Sequence, residues 1–119
     1  MAPGAHAFPR EERLTRRADF LRVYKEGKKH VGRTYVLYVV HSPGQGRQVG
    51  FTVSRKVGKA VTRNRVKRVM REVYRQHRPQ LLTDVQIVLV ARPAAAKLSY
   101  QEAWAALHSL LRQGGLIGA

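Results

Sequence analysis

Arg63, Asn64 and Arg65, with Lys67, Arg68 and Arg71 behind them, crowd fixed positive charge and hydrogen-bond donors into one short stretch. From Arg55 to Arg78 the chain places ten Lys or Arg residues against a single acid, Glu72. A guanidinium fork matches phosphate bidentately. Asn64 adds a neutral donor and acceptor that can read a base edge or a 2′-hydroxyl. Gly58 allows a sharp backbone turn, and the first N–H groups and dipole of a helix that follows it favour phosphate. Arg55, Lys56 and Lys59 lie alongside in sequence. This is the chemistry of RNA or DNA binding, in which each phosphate neutralised adds about 0.7–0.9 to the log–log salt slope.

A basic run also arises in two simpler ways. It is usually a solvated helix face, but such a face gains from mixed signs at i,i+4 spacing. Between Lys56 and Arg71 no acid is present to form such a pair. A membrane-surface helix needs bulky apolar side chains to enter lipid, whereas the apolar positions here are largely valine and suit core packing.

Aromatic residues supply a second possible chemistry. Phe20 and Tyr24 stand one helical turn apart, so their rings can lie side by side. Tyr38 falls in a strand-like run of valines. All three can be core residues. Beside a basic surface they also describe a platform for stacking single-stranded bases. The pattern alone supports both.

Nothing in the sequence points to hydrolytic chemistry of its own. Of the acids Glu11, Glu12, Asp19, Glu26, Glu72, Asp84 and Glu102, only Glu11 and Glu12 adjoin. The five histidines show no close zinc spacing, and there is no P-loop or Rossmann glycine motif. No catalytic or metal-ligating residue is therefore expected. If the protein takes part in a reaction, the chemistry is expected to belong to a partner.

The elements that must position these residues follow from periodicity. Residues 62–77 carry Val66, Val69, Met70, Val73, Tyr74 and His77 at offsets 0, 3, 4, 7, 8 and 11, one continuous helical face. Asn64, Arg68, Arg71 and Arg75 fall opposite, and Pro79 stops the helix. Residues 14–26 read as a helix with Thr15 as N-cap and Gly27 at its C-terminal end. Residues 35–40 and 49–54 read as strands joined through the turn at 42–46, and an antiparallel hairpin is expected. A short strand is expected near 30–32. Residues 85–91 are nearly all apolar, as in a strand covered on both sides. Ser99 with Glu102 forms a capping box for a last helix ended by Gly114-Gly115. Residues 1–13 read as a flexible arm before a single domain over 14–119. One small sheet with packed helices is the economical arrangement.

Bulk properties agree. A chain of 119 residues with 44% hydrophobic residues can bury one modest core. A net charge of +16 opposes compaction, and a polyanion would relieve it. The absence of cysteine excludes disulfides and fits a reducing compartment. The N-terminus lacks a signal-peptide run and no apolar run is long enough to span a bilayer, so a cytoplasmic protein without a membrane role is expected.

Four pieces of the chain carry a family likeness in order. They are Asp19-Phe20 through Tyr24-Lys25-Glu26-Gly27, Val36-Leu37-Tyr38, Val49-Gly50-Phe51 through Arg71-Glu72, and Ile87-Val88 through Ala91-Arg92-Pro93. On these the chain resembles the protein subunit of bacterial ribonuclease P, over residues 14–113, with Arg63-Asn64-Arg65 followed by Lys67-Arg68 and Arg71 as the specific signature. The resemblance implies an α+β fold of order α-β-β-β-α-β-α. Its mixed four-stranded sheet would contain a left-handed strand–helix–strand crossover, as in a ribosomal-protein domain. It implies that an RNA subunit with bound Mg2+ removes the 5′ leader of precursor tRNA, and that the protein contributes binding, one copy per RNA. It assigns Arg55, Lys56, Lys59, Arg63, Asn64, Arg65, Lys67, Arg68 and Arg71 to ribonuclease P RNA. Phe20, Tyr24 and Tyr38 would contact the precursor tRNA leader. Tyr24 stands where phenylalanine is common in the family, and Arg55 where lysine is common. A structural rRNA-binding ribosomal protein is the alternative, and a DNA-binding protein a further one.

Overall fold

The computed structural model describes residues 8–118. Along it run α1 (Arg17–Glu26), β1 (Lys28–Val31), β2 (Tyr35–His41), β3 (Gln48–Val53), α2 (Ala60–His77), β4 (Val85–Ala91) and α3 (Tyr100–Gln113). Short 3-10 turns occupy Arg10–Glu12, Arg55–Val57, Arg78–Gln80 and Pro93–Lys97. The strands form one mixed sheet in the order β1-β2-β4-β3, in which β3 and β4 run parallel and the other neighbours antiparallel. The α+β architecture and element order are those expected. No helix among the described residues is long and apolar enough to cross a membrane.

The expected hairpin of β2 with β3 is not formed. β4 lies between them, with Leu89 paired to Leu37 on one side and to Phe51 on the other. The composition of β4 explains this. Ile87 and Val88 point to opposite faces and both are 0% exposed. A strand apolar on both faces loses least at the centre of a sheet, where both edges are also paired. The parallel β3–β4 pair then requires α2 as its crossover.

Alternation along the strands divides the sheet into two faces. One carries Tyr35, Leu37, Val39, Val49, Phe51, Ile87 and Leu89, packed under α2 and α3 through Val66, Met70, Val73, Leu107 and Leu111. The other carries Val88, packed under α1 with Leu14 and Val23 and flanked by the half-buried Phe20, Tyr24, Tyr38, Val40 and Val90. On the seam between α2 and α3, His77 is buried, and its Nε2 lies 2.9 Å from His108 Nδ1. Trp104 stacks on His108 with ring centroids 4.8 Å apart.

Two helix ends differ from expectation. α1 begins at Arg17, and Thr15 does not cap it; Arg16 is the extended N-cap residue with no side-chain bond. The chain is held straight until then, because Arg13 bridges to Val49 and the Leu14 N–H donates to the Val49 carbonyl at 3.0 Å. Gly27 is extended, at φ −77°, so it is no left-handed cap. It is needed for close approach: a Cβ there would stand 2.4 Å from the Val23 carbonyl oxygen and 3.2 Å from that of Val39. The capping box of α3 forms as expected, with Glu102 N–H donating to Ser99 Oγ at 3.1 Å and Ser99 N–H to Glu102 Oε1 at 2.9 Å.

The arm expected over residues 1–13 is packed from Phe8 onward, and residues 1–7 lie outside the described residues. Phe8 is 7% exposed and meets Phe51 and Tyr74 edge to face, at 5.7 and 5.0 Å between centroids. Glu12 accepts from the Tyr74 hydroxyl, from Arg47 Nε at 3.2 Å and from Arg78 Nε at 2.9 Å. Burial raises the Glu12 pKa, but the bonds from Arg78 and Tyr74 and the charge of Arg47 outweigh it, leaving it below the ordinary carboxylate value. The domain therefore starts earlier than residue 14. One buried carboxylate ties its leading segment to α2.

Candidate nucleic-acid interface

The basic signature occupies the first half of α2. Val66, Met70, Val73 and Tyr74 turn into the core, so helical geometry turns Asn64, Arg68 and Arg71 outward, and all three are exposed. Gly58 precedes the helix at φ 153°, a conformation that favours glycine. No side chain caps α2 among the described residues, and its first turn holds no acid. Cations near a helix N-terminus oppose the macrodipole. Lys59, Arg63 and Arg65 crowd this end nonetheless, a local conflict of the kind found where a site serves binding.

The two arginines of the signature differ in setting. Arg63 is half-buried and its Nε donates to the Gly58 carbonyl at 3.1 Å, which folds the turn back on the helix. Arg65 is exposed and donates to the Ala96 carbonyl in the turn after β4. Each bond uses one of five guanidinium N–H groups and leaves the others for a ligand. Lys67 is half-buried, and with Asn64, Arg68 and Arg71 it lines a shallow depression of about 400 Å3. Arg55, Lys56 and Lys59 are exposed at the approach to the helix. The structure thus gathers all nine basic-patch residues on and just before one helix.

Phe20, Tyr24 and Tyr38 gather on the α1 face of the sheet, and none is fully buried. The Tyr24 and Tyr38 rings meet edge to face at 5.0 Å, and Phe20 lies 6.5 Å from Tyr24 at a tilt of 47°. The Tyr24 hydroxyl is 2.8 Å from Thr52 Oγ1, which fixes the ring against β3. Lys29 Nζ stands 5.8 Å from the Tyr38 ring centre. Phe20 lies directly on Gly50, where a Cβ would come within 2.5 Å of the ring. Each ring therefore packs against the sheet on one side and keeps part of its surface open to solvent.

A cleft of about 410 Å3 connects the two regions. Its lining brings Phe20, Leu14 and Gly50 together with Lys67 and Arg71 of α2, and includes Phe8 and Arg13. Arg13 was not singled out by the sequence. Its guanidinium donates to the Phe8 carbonyl at 3.0 Å and lies 5.1 Å from the Phe8 ring centre. Gln86 was missed as well, a buried amide in the apolar β4 that accepts from Arg22 and donates to Gln48 Oε1 at 2.7 Å. A single polar residue inside a strand buried on both faces was the available signal.

One cleft thus joins a basic helix to a half-exposed aromatic face. The family model for Ribonuclease P matches residues 8–114, nearly the whole described chain. The chain belongs to the ribonuclease P protein family. The ribonuclease P protein component of Dictyoglomus turgidum is 44% identical over 91 residues, covering 76% of this chain and 76% of that one. That of Desulfovibrio desulfuricans is 42% identical over 112 residues, covering 91% and 86%. Among solved structures, the RNase P protein of Staphylococcus aureus is similar with a TM-score of 0.84 at 30% identity, covering 90% of this chain and 98% of that one. The RNase P protein of Thermotoga maritima gives 0.77 at 30% identity, covering 86% and 96%. The match beginning at Phe8 agrees with the packed position of that residue. As a ribonuclease P protein component, the chain is part of an endoribonuclease that works with ribonuclease P RNA in tRNA processing. The comparisons favour this over a structural ribosomal protein.

Proposed function

We propose that the ribonuclease P protein binds two RNAs through two surfaces. The α2 surface, with Arg55, Lys56, Lys59, Arg63, Asn64, Arg65, Lys67, Arg68 and Arg71, holds ribonuclease P RNA. The α1 face, with Phe20, Tyr24 and Tyr38, stacks bases of the precursor tRNA 5′ leader. The cleft joining Phe20 to Lys67 and Arg71 carries this reading, because one strand entering it meets the Phe20 ring and two cations together. Stacking of each base contributes about 1–3 kcal/mol and tolerates any sequence, as a leader binder requires. One protein acts per RNA, in the cytoplasm.

The protein supplies binding and position, and its side chains supply no hydrolytic group. Mg2+ prefers carboxylate, phosphate and water oxygens. The proposed surfaces are lined by cations and aromatic rings, so these residues do not fit the ion, and we assign it to the RNA. No described group of three or more His, Asp or Glu is placed to hold a metal.

The test is precursor tRNA cleavage at low magnesium by the RNA subunit from the same organism, with and without the protein. The expected result is a large gain in kcat/KM and no cleavage by protein alone. Arg65→Ala should weaken binding to the catalytic RNA. Cleavage by the protein without RNA, or no gain from adding it, would contradict the proposal.

A further inference from the structure

Three exposed cations outside the α2 surface gather at one end of the sheet. Arg33 lies in the turn before β2, Arg92 follows β4, and Lys97 ends the 3-10 turn Pro93–Lys97. Hydrogen bonds and packing link these segments to each other and to the basic helix. The Arg92 backbone N–H donates to the Thr34 carbonyl at 2.8 Å, and its guanidinium donates to the Gly32 carbonyl at 2.9 Å. The turn Pro93–Lys97 packs beside the turn Arg55–Val57 and beside α2, where Arg65 donates to Ala96. Arg33, Arg92 and Lys97 therefore continue the surface of Arg55, Lys56 and Arg65 around the sheet end.

A solvated charge run would be the simpler explanation, but this molecule shows what that looks like. Arg22 with Glu26 and Arg75 with Glu72 form mixed surface pairs. Among the described residues no carboxylate pairs with Arg33, Arg92 or Lys97, nor with Arg55, Lys56 or Arg65. Their mutual repulsion is left uncompensated, as in a surface shaped for a polyanion. Arg92 and Arg65 are each oriented by one backbone carbonyl, which reduces the freedom lost when the remaining donors grip a phosphate.

We propose that Arg33, Arg92 and Lys97 form a second phosphate-binding rim, continuous with α2, that grips the sugar–phosphate backbone of the catalytic RNA. The inference rests on the ribonuclease P reading above. Arg65 belongs to both surfaces, whereas Phe20 and Tyr38 lie on the α1 face, so the rim extends the catalytic-RNA side and not the leader track.

The experiment measures affinity of the full-length protein for ribonuclease P RNA across a salt series. Arg33→Ala/Lys97→Ala is the main variant, since neither side chain makes a hydrogen bond among the described residues, and Arg92→Gln is the second. Arg68→Ala on α2 serves as the reference. The log–log salt slope of the double variant should become shallower by about 0.7–0.9 for each phosphate it no longer neutralises, with affinity reduced. If Arg68→Ala weakens binding while the rim variants leave affinity and slope unchanged, the rim is overturned and the α2 reading stands. If none changes either, both fall. A loss confined to precursor tRNA binding by the assembled holoenzyme would overturn the assignment to the catalytic RNA.

Discussion

Under α2 and α3, the sheet presents Leu37, Val49, Phe51, Ile87 and Leu89, all buried and sealed by two long helices. Under α1, the same strands present Tyr38, Val40, Thr52 and Val90, all left half-buried by one helix of ten residues. The difference lies in how much helix the sequence assigns to each side. The first face can be dry because the residues at its centre, Leu37, Val49, Phe51, Ile87 and Leu89, are all apolar. The second keeps hydroxyls and ring faces within reach of solvent, so it contributes less stability and can receive a ligand. Basic residues follow the same division. They crowd the outer side of α2, whose inner side packs Val66, Met70, Val73 and Tyr74 into the core. A rigid inner face thus holds the charged one in place.

The largest effect should come from the buried anchor. Glu12→Ala leaves Arg47 and Arg78 without their carboxylate, and should cost about 3–5 kcal/mol in denaturant unfolding. The anchor also makes stability depend on pH. The folded Glu12 carboxyl lies below its ordinary value of 4.5. Its contribution is therefore complete above that value and is lost as pH falls through the folded pKa. Glu12→Gln should flatten the acid side of the stability profile, and an unchanged profile would show that the anchor does not titrate.

Next in size is the sealed face. Leu89→Ala should cost about 2–5 kcal/mol, through lost transfer energy and the cavity left behind. RNA affinity of the folded fraction should be unchanged. Tyr38→Ala should show the reverse balance, with a small loss of stability and about 1–3 kcal/mol lost from leader binding. Equal destabilisation by the two substitutions would break the contrast between the faces. Smallest is Ser99→Ala, which removes the α3 cap and should cost about 0.5–2 kcal/mol with no effect on RNA.

Much of this was legible in the sequence because local rules govern it. The capping box of Ser99 and Glu102, the apolar face of α2 and the limits of β4 each depend on residues close in the chain. Strand order was not legible. Period-two alternation tells which side chains share a face, but gives no sign that β4 would separate β2 from β3. Only the absence of a polar face on β4 hinted that it sits centrally. The packing of the leading segment was not legible for a similar reason. A lone Phe8 among prolines and glycine has no period, and its partners Phe51 and Tyr74 are remote in sequence. Thr15 looked like a cap because cap preference is local, whereas the Leu14 bond to β3 that keeps the chain extended is not. The role of Phe20 and its neighbours could not be chosen from spacing, since half-burial serves packing and stacking together.

Phe20→Leu separates these two roles, because it keeps apolar volume over Gly50 and removes the stacking ring. The measurement is the ratio of holoenzyme affinities for leader-bearing precursor and mature tRNA, taken beside the unfolding midpoint of the protein. A stacking role predicts a fall in that ratio equivalent to about 1–3 kcal/mol, with the midpoint almost unmoved. A lowered midpoint with the ratio intact would mean that the α1 face is simply a thinner core, and would contradict the division of labour between the two sides of the sheet.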